Sequence, residues 1–257
     1  MKVVLFAGGM GTRISEESHL KPKPMIEIGG KPILWHIMKI YASRGYNEFI
    51  ICLGYKGYMI KEYFLNYFVH NADITVNLEN NEVEVHHSTA ESFKVTLVDT
   101  GLETMTAGRL KRIRDHIDTE DFMLTYGDGV ADINIDELVK FHKDKGKICT
   151  MSVIQPGSRF GVIETDGEGV VTKFTEKPRD DGNWINGGYF VLNRKVFDYL
   201  KEDADLVMWE RQPLEDLAKD AQLITRKHTG FWKCMDTMRD KEELERLWSE
   251  KPLWKSW

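Results

Sequence analysis

The sequence contains few cysteines, few prolines and no long hydrophobic run. Its 257 residues include 3 Cys and 7 Pro, and Cys52, Cys149 and Cys234 form no C-x-x-C pair of the kind that binds zinc or exchanges disulfides. The apolar run after Lys2 is too short for a secretion signal, and no stretch approaches the ~18 apolar residues of a membrane span. We therefore expect a cytoplasmic protein with reduced thiols.

Positive charge is also in the minority. Lys and Arg number 35 against 41 Asp and Glu, which gives a formal net charge of −6. Such a chain lacks the diffuse positive field that holds nucleic acids or anionic membranes. We expect no nucleic-acid partner and no membrane partner, and any anionic ligand must be bound by a local cluster of cations.

Short apolar runs alternate with helical patterns along the chain. Runs rich in β-branched and aromatic residues predict buried strands, and apolar residues spaced three or four apart predict helices. The predicted strands are 3–7, 49–53, 95–98, 122–126, 149–154 and 189–192, and the predicted helices lie within 34–41, 60–68, 110–117, 138–141 and 241–250. This alternation predicts an α/β fold with a Rossmann-like, mostly parallel (mixed) sheet flanked by helices.

The second half of the chain departs from this pattern. Residues 161–164 and 170–176, joined by an acidic glycine-rich turn, predict a small antiparallel hairpin insertion. Trp248, Trp254 and Trp257 crowd the C-terminal tail, which must pack on its own core or on a neighbouring subunit. No linker or repeat divides the sequence, so we expect a single domain over residues 1–257.

A glycine-rich segment, FAGGMGTR, follows the first predicted strand. Its backbone can approach a ligand closely, and its N–H groups suit phosphate binding. It lacks the third glycine of a dinucleotide-binding motif and the Gly-Lys-Ser/Thr ending of a P-loop. Arg13 in this segment and Lys23 between two prolines favour a polyphosphate ligand over a solvated basic loop.

Two aspartates are candidates for binding a metal ion. Asp128 lies between glycines at the end of a predicted strand, where a carboxylate can meet Mg²⁺, although a turn-forming Asp gives the same pattern. Asp236 follows FWKCM just before the last predicted helix, and its alternative role is a helix N-cap.

Two further segments carry polar groups. Glu176 and Lys177 precede a proline at the end of the predicted hairpin, where a surface charge pair is the alternative. Asn186 and Gly188 precede a predicted strand and suit either a polyhydroxylated ligand or a tight turn.

The order GGMGTR, PKPM, YGDG, EKP, NGG and FWKCMD resembles the sugar-1-phosphate nucleotidyltransferases over nearly the whole chain. Within that family, CLGYKGYMIKEYF, EVHH, TGLETMTAGRLKR and GFWKCMDTMRDK are similar to the cytidylyl branch. The resemblance implies CTP and glucose 1-phosphate as substrates, Mg²⁺ as cofactor and a homo-oligomer as large as a hexamer. It also implies CDP-glucose as product, used for deoxysugars of a bacterial surface polysaccharide such as lipopolysaccharide O-antigen.

The resemblance further implies roles for individual residues. It assigns catalysis to Arg13, Lys23 and Asp128, and Mg²⁺ binding to Asp128 and Asp236. It assigns nucleotide binding to Phe6, Ala7, Gly8, Gly9, Met10, Gly11, Thr12, Arg13, Lys23, Thr104, Thr106, Arg109 and Gly127. It assigns sugar-phosphate binding to Glu176, Lys177, Asn186 and Gly188. The nucleotide part would cover about 1–130, the sugar-phosphate part about 131–240, and a C-terminal helix and tail about 241–257.

Two alternatives stay open from the sequence. One is a thymidylyl, uridylyl or other sugar-phosphate nucleotidyltransferase of the same fold. However, MTAGR stands where those members carry a Gln-rich base-recognition segment, which favours cytosine. The other is a non-catalytic nucleotide-sugar-binding regulatory subunit.

Overall fold

The computed structural model describes residues 1–156, 162–165, 170–175 and 184–257. The strands are β1 (Val3–Phe6), β2 (Glu27–Ile28), β3 (Lys31–Pro32), β4 (Glu48–Leu53), β5 (Ala72–Asn77), β6 (Glu82–Ser88), β7 (Lys94–Asp99), β8 (Asp121–Tyr126), β9 (Gly129–Ala131), β10 (Cys149–Ile154), β11 (Val162–Thr165), β12 (Val171–Thr175), β13 (Ile185–Asn193), β14 (Leu223–His228) and β15 (Trp232–Cys234). The α-helices are α1 (Ser15–Ser18), α2 (Ile33–Ala42), α3 (Gly57–His70), α4 (Thr106–Arg112), α5 (Ile135–Lys145), α6 (Gln212–Lys219) and α7 (Met238–Glu250). Short 3-10 turns cover Thr12–Ile14, Lys23–Met25, Arg114–His116, Arg194–Tyr199 and Glu202–Leu206.

Among the described residues, seven strands form a central sheet in the order β14-β10-β13-β8-β1-β4-β7. Neighbouring strands run parallel except at β13, which pairs antiparallel with both β10 and β8. This arrangement confirms the predicted mixed, mostly parallel sheet, and all six predicted strands lie in it.

Helices cover both faces of the sheet. Successive residues of β1 point to opposite faces, so Val3 and Leu5 pack in a cluster with α2, whereas Val4 and Phe6 pack in a second cluster with α4. All four side chains are buried, which explains why the strand appears in the sequence as a continuous apolar run.

Smaller antiparallel pairs extend from this centre. β11 and β12 pair as the predicted hairpin, whereas the pairs β5–β6 and β9–β15 were not predicted. The helix predicted over 110–117 ends at Arg112 and continues as a 3-10 turn. In the part of the chain that the structure describes, no helix has the length and apolarity needed to span a bilayer.

The tryptophan-rich tail packs on the core of its own chain. Trp248, Trp254 and Trp257 surround the ring of His36 in α2, with ring centroids 4.7, 6.0 and 6.3 Å away. His36 Nε2 lies 2.8 Å from the carbonyl oxygen of Ile28, and the indole N–H of Trp254 lies 3.4 Å from His36 Nδ1. Burial lowers the pKa of His36 to about 4, so this imidazole is neutral at pH 7.

Candidate active site

The carboxyl ends of β1 and β8 bring two predicted motifs together. Phe6 and Tyr126 are register partners in parallel strands, and the backbone N–H of Gly127 donates to the Phe6 carbonyl at 3.0 Å. A Cβ on Gly127 would lie 2.8 Å from that oxygen. The glycine therefore allows the close approach that sets Asp128 beside the glycine-rich segment 8–13.

Lys23 joins the two aspartates predicted to bind a metal ion. Its Nζ donates to Asp128 Oδ2 and to Asp236 Oδ1, at 2.6 Å in each case. Burial disfavours the ammonium, but the two carboxylates outweigh burial and raise the pKa of Lys23. Burial likewise opposes the charge of Asp236, and Lys23 and Arg13 outweigh it, so the pKa of Asp236 is lowered.

A proline-flanked turn positions Lys23. The residue opens the 3-10 turn Lys23–Met25, in which the Met25 N–H donates to the Pro22 carbonyl at 2.7 Å. Its Cβ lies 3.1 Å from the place a Cβ would take on Gly11, whose φ is +66°. The turn therefore packs directly against the glycine-rich segment.

Asp236 is not the N-cap of the last helix. Thr237 caps α7 in a reciprocal capping box with Asp240, and the Asp240 carboxylate accepts from the Asp236 N–H at 3.1 Å. The N-cap alternative for Asp236 is therefore wrong. Its carboxylate contacts Lys23 and also accepts from Arg13 Nη1 at 3.0 Å.

Arg109 is buried beneath the glycine-rich segment. Its guanidinium donates at 2.8–3.2 Å to the carbonyl oxygens of Gly8, Leu53, Gly101 and Leu102 and to Thr100 Oγ1. Burial lowers the pKa of Arg109, yet an arginine stays protonated in proteins. A Cβ on Gly8 would lie 2.2 Å from Arg109 Nη1. Arg109 thus fixes this segment to the ends of β4 and β7, and a contact with nucleotide stays a prediction.

The outer part of the glycine-rich segment is open to solvent. Phe6 and Ala7 are buried, whereas Met10 and Thr12 are exposed. A Cβ at Gly9 would have no described atom within 4 Å beyond its chain neighbours. The first residues of the segment are therefore held in the fold, and its later residues are accessible to a ligand.

The predicted sugar-phosphate residues are described in part. Asn186 Oδ1 accepts from the Gly188 N–H at 2.8 Å, and Gly188 has a φ of +80°. A cavity of about 50 Å³ beside them is lined by Thr125, Tyr126, Asp128, Gly129, Asn186, Gly187, Gly188, Tyr189, Trp232 and Cys234. Glu176 and Lys177 lie outside the described residues.

Comparison with known proteins identifies the family. The sequence profile of the nucleotidyl transferase family matches residues 2–232. The chain belongs to the nucleotidyl transferase family. It is 54% identical to the glucose-1-phosphate cytidylyltransferases of Salmonella typhi and Salmonella typhimurium, over 100% of each chain. The solved inositol-1-phosphate CTP transferase from T. maritima has a TM-score of 0.66 at 17% identity, over 97% of this chain and 96% of that one.

These matches confirm two predictions, the family resemblance and an enzyme that transfers nucleotidyl groups. The match to the solved structure supports the fold alone. The roles predicted for individual residues stay predictions, supported by the geometry described above.

The donor set of this nucleotidyltransferase fits Mg²⁺. Two carboxylates that share one ammonium can share a divalent cation, and Mg²⁺ uses one or two carboxylates together with phosphate oxygens and water. Cys234 lies beside Asp236, but burial and the nearby carboxylates raise the pKa of its thiol to about 12, so it stays protonated. Among the described residues, no group of three or more His, Cys, Asp or Glu gathers as a metal centre.

Glu210 belongs to this site but was not predicted from the sequence. Its Oε2 accepts a hydrogen bond of 3.0 Å from the hydroxyl of Thr106, at the start of α4, and that hydroxyl accepts from the Trp209 N–H at 2.7 Å. Glu210 also accepts a hydrogen bond from the Tyr126 hydroxyl. No local pattern marks Glu210, because its partners lie 104 and 84 residues away in sequence.

Proposed function

We propose that this protein transfers the cytidylyl group of CTP to glucose 1-phosphate, forming CDP-glucose and pyrophosphate. The observation that carries the proposal is the 54% identity, over the full length of both chains, to an enzyme named glucose-1-phosphate cytidylyltransferase. The reaction is cytoplasmic, and its product supplies deoxysugar synthesis for a bacterial surface polysaccharide.

In the proposed reaction, a phosphate oxygen of glucose 1-phosphate attacks the α-phosphorus of CTP in line. The new P–O bond forms as the bond to the leaving pyrophosphate breaks. No protein nucleophile is needed, because the chemistry depends on positioning and on neutralising charge at phosphorus.

The chain provides these functions through the cluster around Lys23. The glycine-rich segment binds the triphosphate through its backbone N–H groups, and Arg13 and Lys23 neutralise phosphate charge. Asp128 and Asp236 would hold Mg²⁺, which when bound supplies further positive charge to the phosphate oxygens.

The two substrates are assigned to different segments near this cluster. The segment containing Thr104, Thr106 and Arg109 would bind the base and the triphosphate. Asn186 and Gly188, together with Glu176 and Lys177, would bind the sugar phosphate. Asn186, Gly188 and Asp128 line the same small cavity, which supports placing the sugar phosphate next to Asp128.

A nucleotide panel tests the function. The purified protein is incubated with Mg²⁺, glucose 1-phosphate and, separately, CTP, UTP, dTTP, ATP or GTP, and pyrophosphate release is measured. We expect release with CTP. Release with UTP or dTTP alone would replace the cytidylyl assignment, and binding of CDP-glucose without turnover would indicate a regulatory subunit.

A homo-oligomer is part of the proposal, and the β5–β6 hairpin supports it. Ile74 pairs with Val85 and Val76 with Val83 on one face of the hairpin, where these side chains are 36–51% exposed. Exposed apolar patches of this kind mark interaction surfaces. Light scattering should show a lower mass for V83K/V85K but not for E84K on the other face, and an unchanged mass for V83K/V85K would contradict this role.

A further inference from the structure

Glu210 lies in the loop before α6 and connects three segments of the proposed site. It accepts hydrogen bonds from Thr106 at the start of α4 and from Tyr126 at the end of β8. Tyr126 in turn accepts from Asn186 Nδ2 at 3.3 Å. One carboxylate thereby joins the segment assigned to the base, the strand that carries Asp128 and the segment assigned to the sugar.

The Tyr126 ring is held tightly between these segments. Its centroid lies 6.0 Å from that of Phe6 and 6.2 Å from that of Phe190. A Cβ on Gly188 would lie 2.9 Å from Tyr126 Cδ2. The ring cannot move without displacing its neighbours, so the hydroxyl has a fixed position next to Glu210.

The carboxylate of Glu210 sets the direction of its hydrogen bond with Tyr126. A carboxylate only accepts, so the single hydroxyl hydrogen of Tyr126 must point towards Glu210. The Tyr126 oxygen is then left as an acceptor for Asn186. The Gly188 N–H, which can only donate, requires Oδ1 of Asn186 to face it, and Nδ2 of Asn186 donates to the Tyr126 oxygen.

We infer that Glu210 is a positioning residue for the sugar-phosphate side of the site, acting through Tyr126 on Asn186. The inference rests on the proposed function, because it takes Asn186 as a contact of the sugar phosphate. Thr106 anchors the carboxylate from the other side and keeps it aimed at the Tyr126 hydroxyl.

Steady-state kinetics of E210Q and Y126F test this role. The Gln amide keeps the volume of Glu210 but can donate, so the Tyr126 hydroxyl is no longer forced to donate to residue 210. We expect each variant to raise KM for glucose 1-phosphate about tenfold while KM for CTP changes less than about threefold. The double variant should be no worse than either single variant, because all three interrupt one chain.

Two matched variants control for loss of charge and loss of a hydroxyl. E215Q removes an exposed carboxylate in α6, and Y199F removes a tyrosine–carboxylate hydrogen bond to Asp220, 2.9 Å long. Both should keep wild-type KM values.

Calorimetry with CDP-glucose and with CTP supplies a readout independent of turnover. The Kd for CDP-glucose should rise in E210Q and Y126F, and the Kd for CTP should stay near the wild-type value. Lowered thermal stability with unchanged KM and Kd values would reduce Glu210 to a structural role and overturn the inference. A wild-type protein that releases no pyrophosphate would instead reject the proposed function.

Discussion

Lys23 Nζ lies 2.6 Å from Asp236 Oδ1 and equally far from Asp128 Oδ2. The ammonium occupies the space between two carboxylates where a divalent cation would bind. Because both cannot fill that space, we expect Lys23 to leave at least one carboxylate if Mg²⁺ binds there as proposed. In the proposed reaction, the phosphates of CTP would provide the new partner for the released ammonium.

Replacing Lys23 by Met should strengthen divalent-cation binding to the nucleotide-free protein. Loss of the competing positive charge should raise the affinity for Mn²⁺ about tenfold or more, measured by electron paramagnetic resonance of free Mn²⁺. Turnover should fall about a thousandfold, because the Lys23 ammonium is proposed to neutralise phosphate charge. K21M, which removes an outer lysine paired with Glu27, is the control. Equal Mn²⁺ affinity in K23M and wild type would contradict the competition.

Asp236 and Asp240 should separate metal binding from helix capping. D236N should raise the Mg²⁺ concentration for half-maximal activity about tenfold or more, and it should also lower the free energy of unfolding because it removes the charged partner of Lys23 and Arg13. D240N weakens the capping box and should cost about 1 kcal/mol of stability with an unchanged Mg²⁺ requirement. Titration of activity with Mg²⁺ and urea unfolding measure the two effects. An unaltered Mg²⁺ requirement in D236N would remove its proposed role.

The central strands could be predicted because burial on both faces leaves continuous apolar runs. β1 and β10 show this directly, as nearly every residue in them is buried. β14 was not predicted because it lies at the sheet edge and contains the charged residues Arg226 and Lys227. The β5–β6 hairpin was not predicted because both of its strands are largely exposed.

The residues of the candidate site likewise differ in whether a local sequence pattern indicates them. Lys23, Asp128 and Asp236 stand in local motifs with prolines, glycines or aromatic neighbours, so short-range patterns indicated them. Glu210 has no such motif, and its contacts with Tyr126 and Thr106 exist only once the chain has folded. The N-cap of α7 could not be identified from the sequence, because an aspartate and a threonine are adjacent there and both residue types favour the N-cap. Only the hydrogen bonds of the folded chain show that Thr237 is the cap.

Gly8 and Gly9 should respond very differently to alanine. A Cβ at position 8 would lie 2.2 Å from the Arg109 guanidinium, whereas one at position 9 meets no described atom within 4 Å beyond its chain neighbours. G8A should therefore lower the free energy of unfolding by about 2 kcal/mol, and G9A by less than about 0.5 kcal/mol. Urea unfolding of both variants measures the difference. Equal stability would show that the Arg109 side chain can move aside.

The buried imidazole of His36 should make the protein less stable in mild acid. Burial, aided by the charge of Lys255, lowers its pKa from 6.5 to about 4. Between these values the unfolded chain binds the proton and the folded one does not, so stability is complete above pH 6.5 and is lost as the pH falls towards 4. The loss should reach about 2 kcal/mol at pH 5, measured by urea unfolding at pH 7.5 and 5. H36Q should flatten this dependence, and H87Q, at an exposed histidine, should leave it unchanged. If the free energy of unfolding depends on pH equally in H36Q and wild type, other groups cause the acid sensitivity.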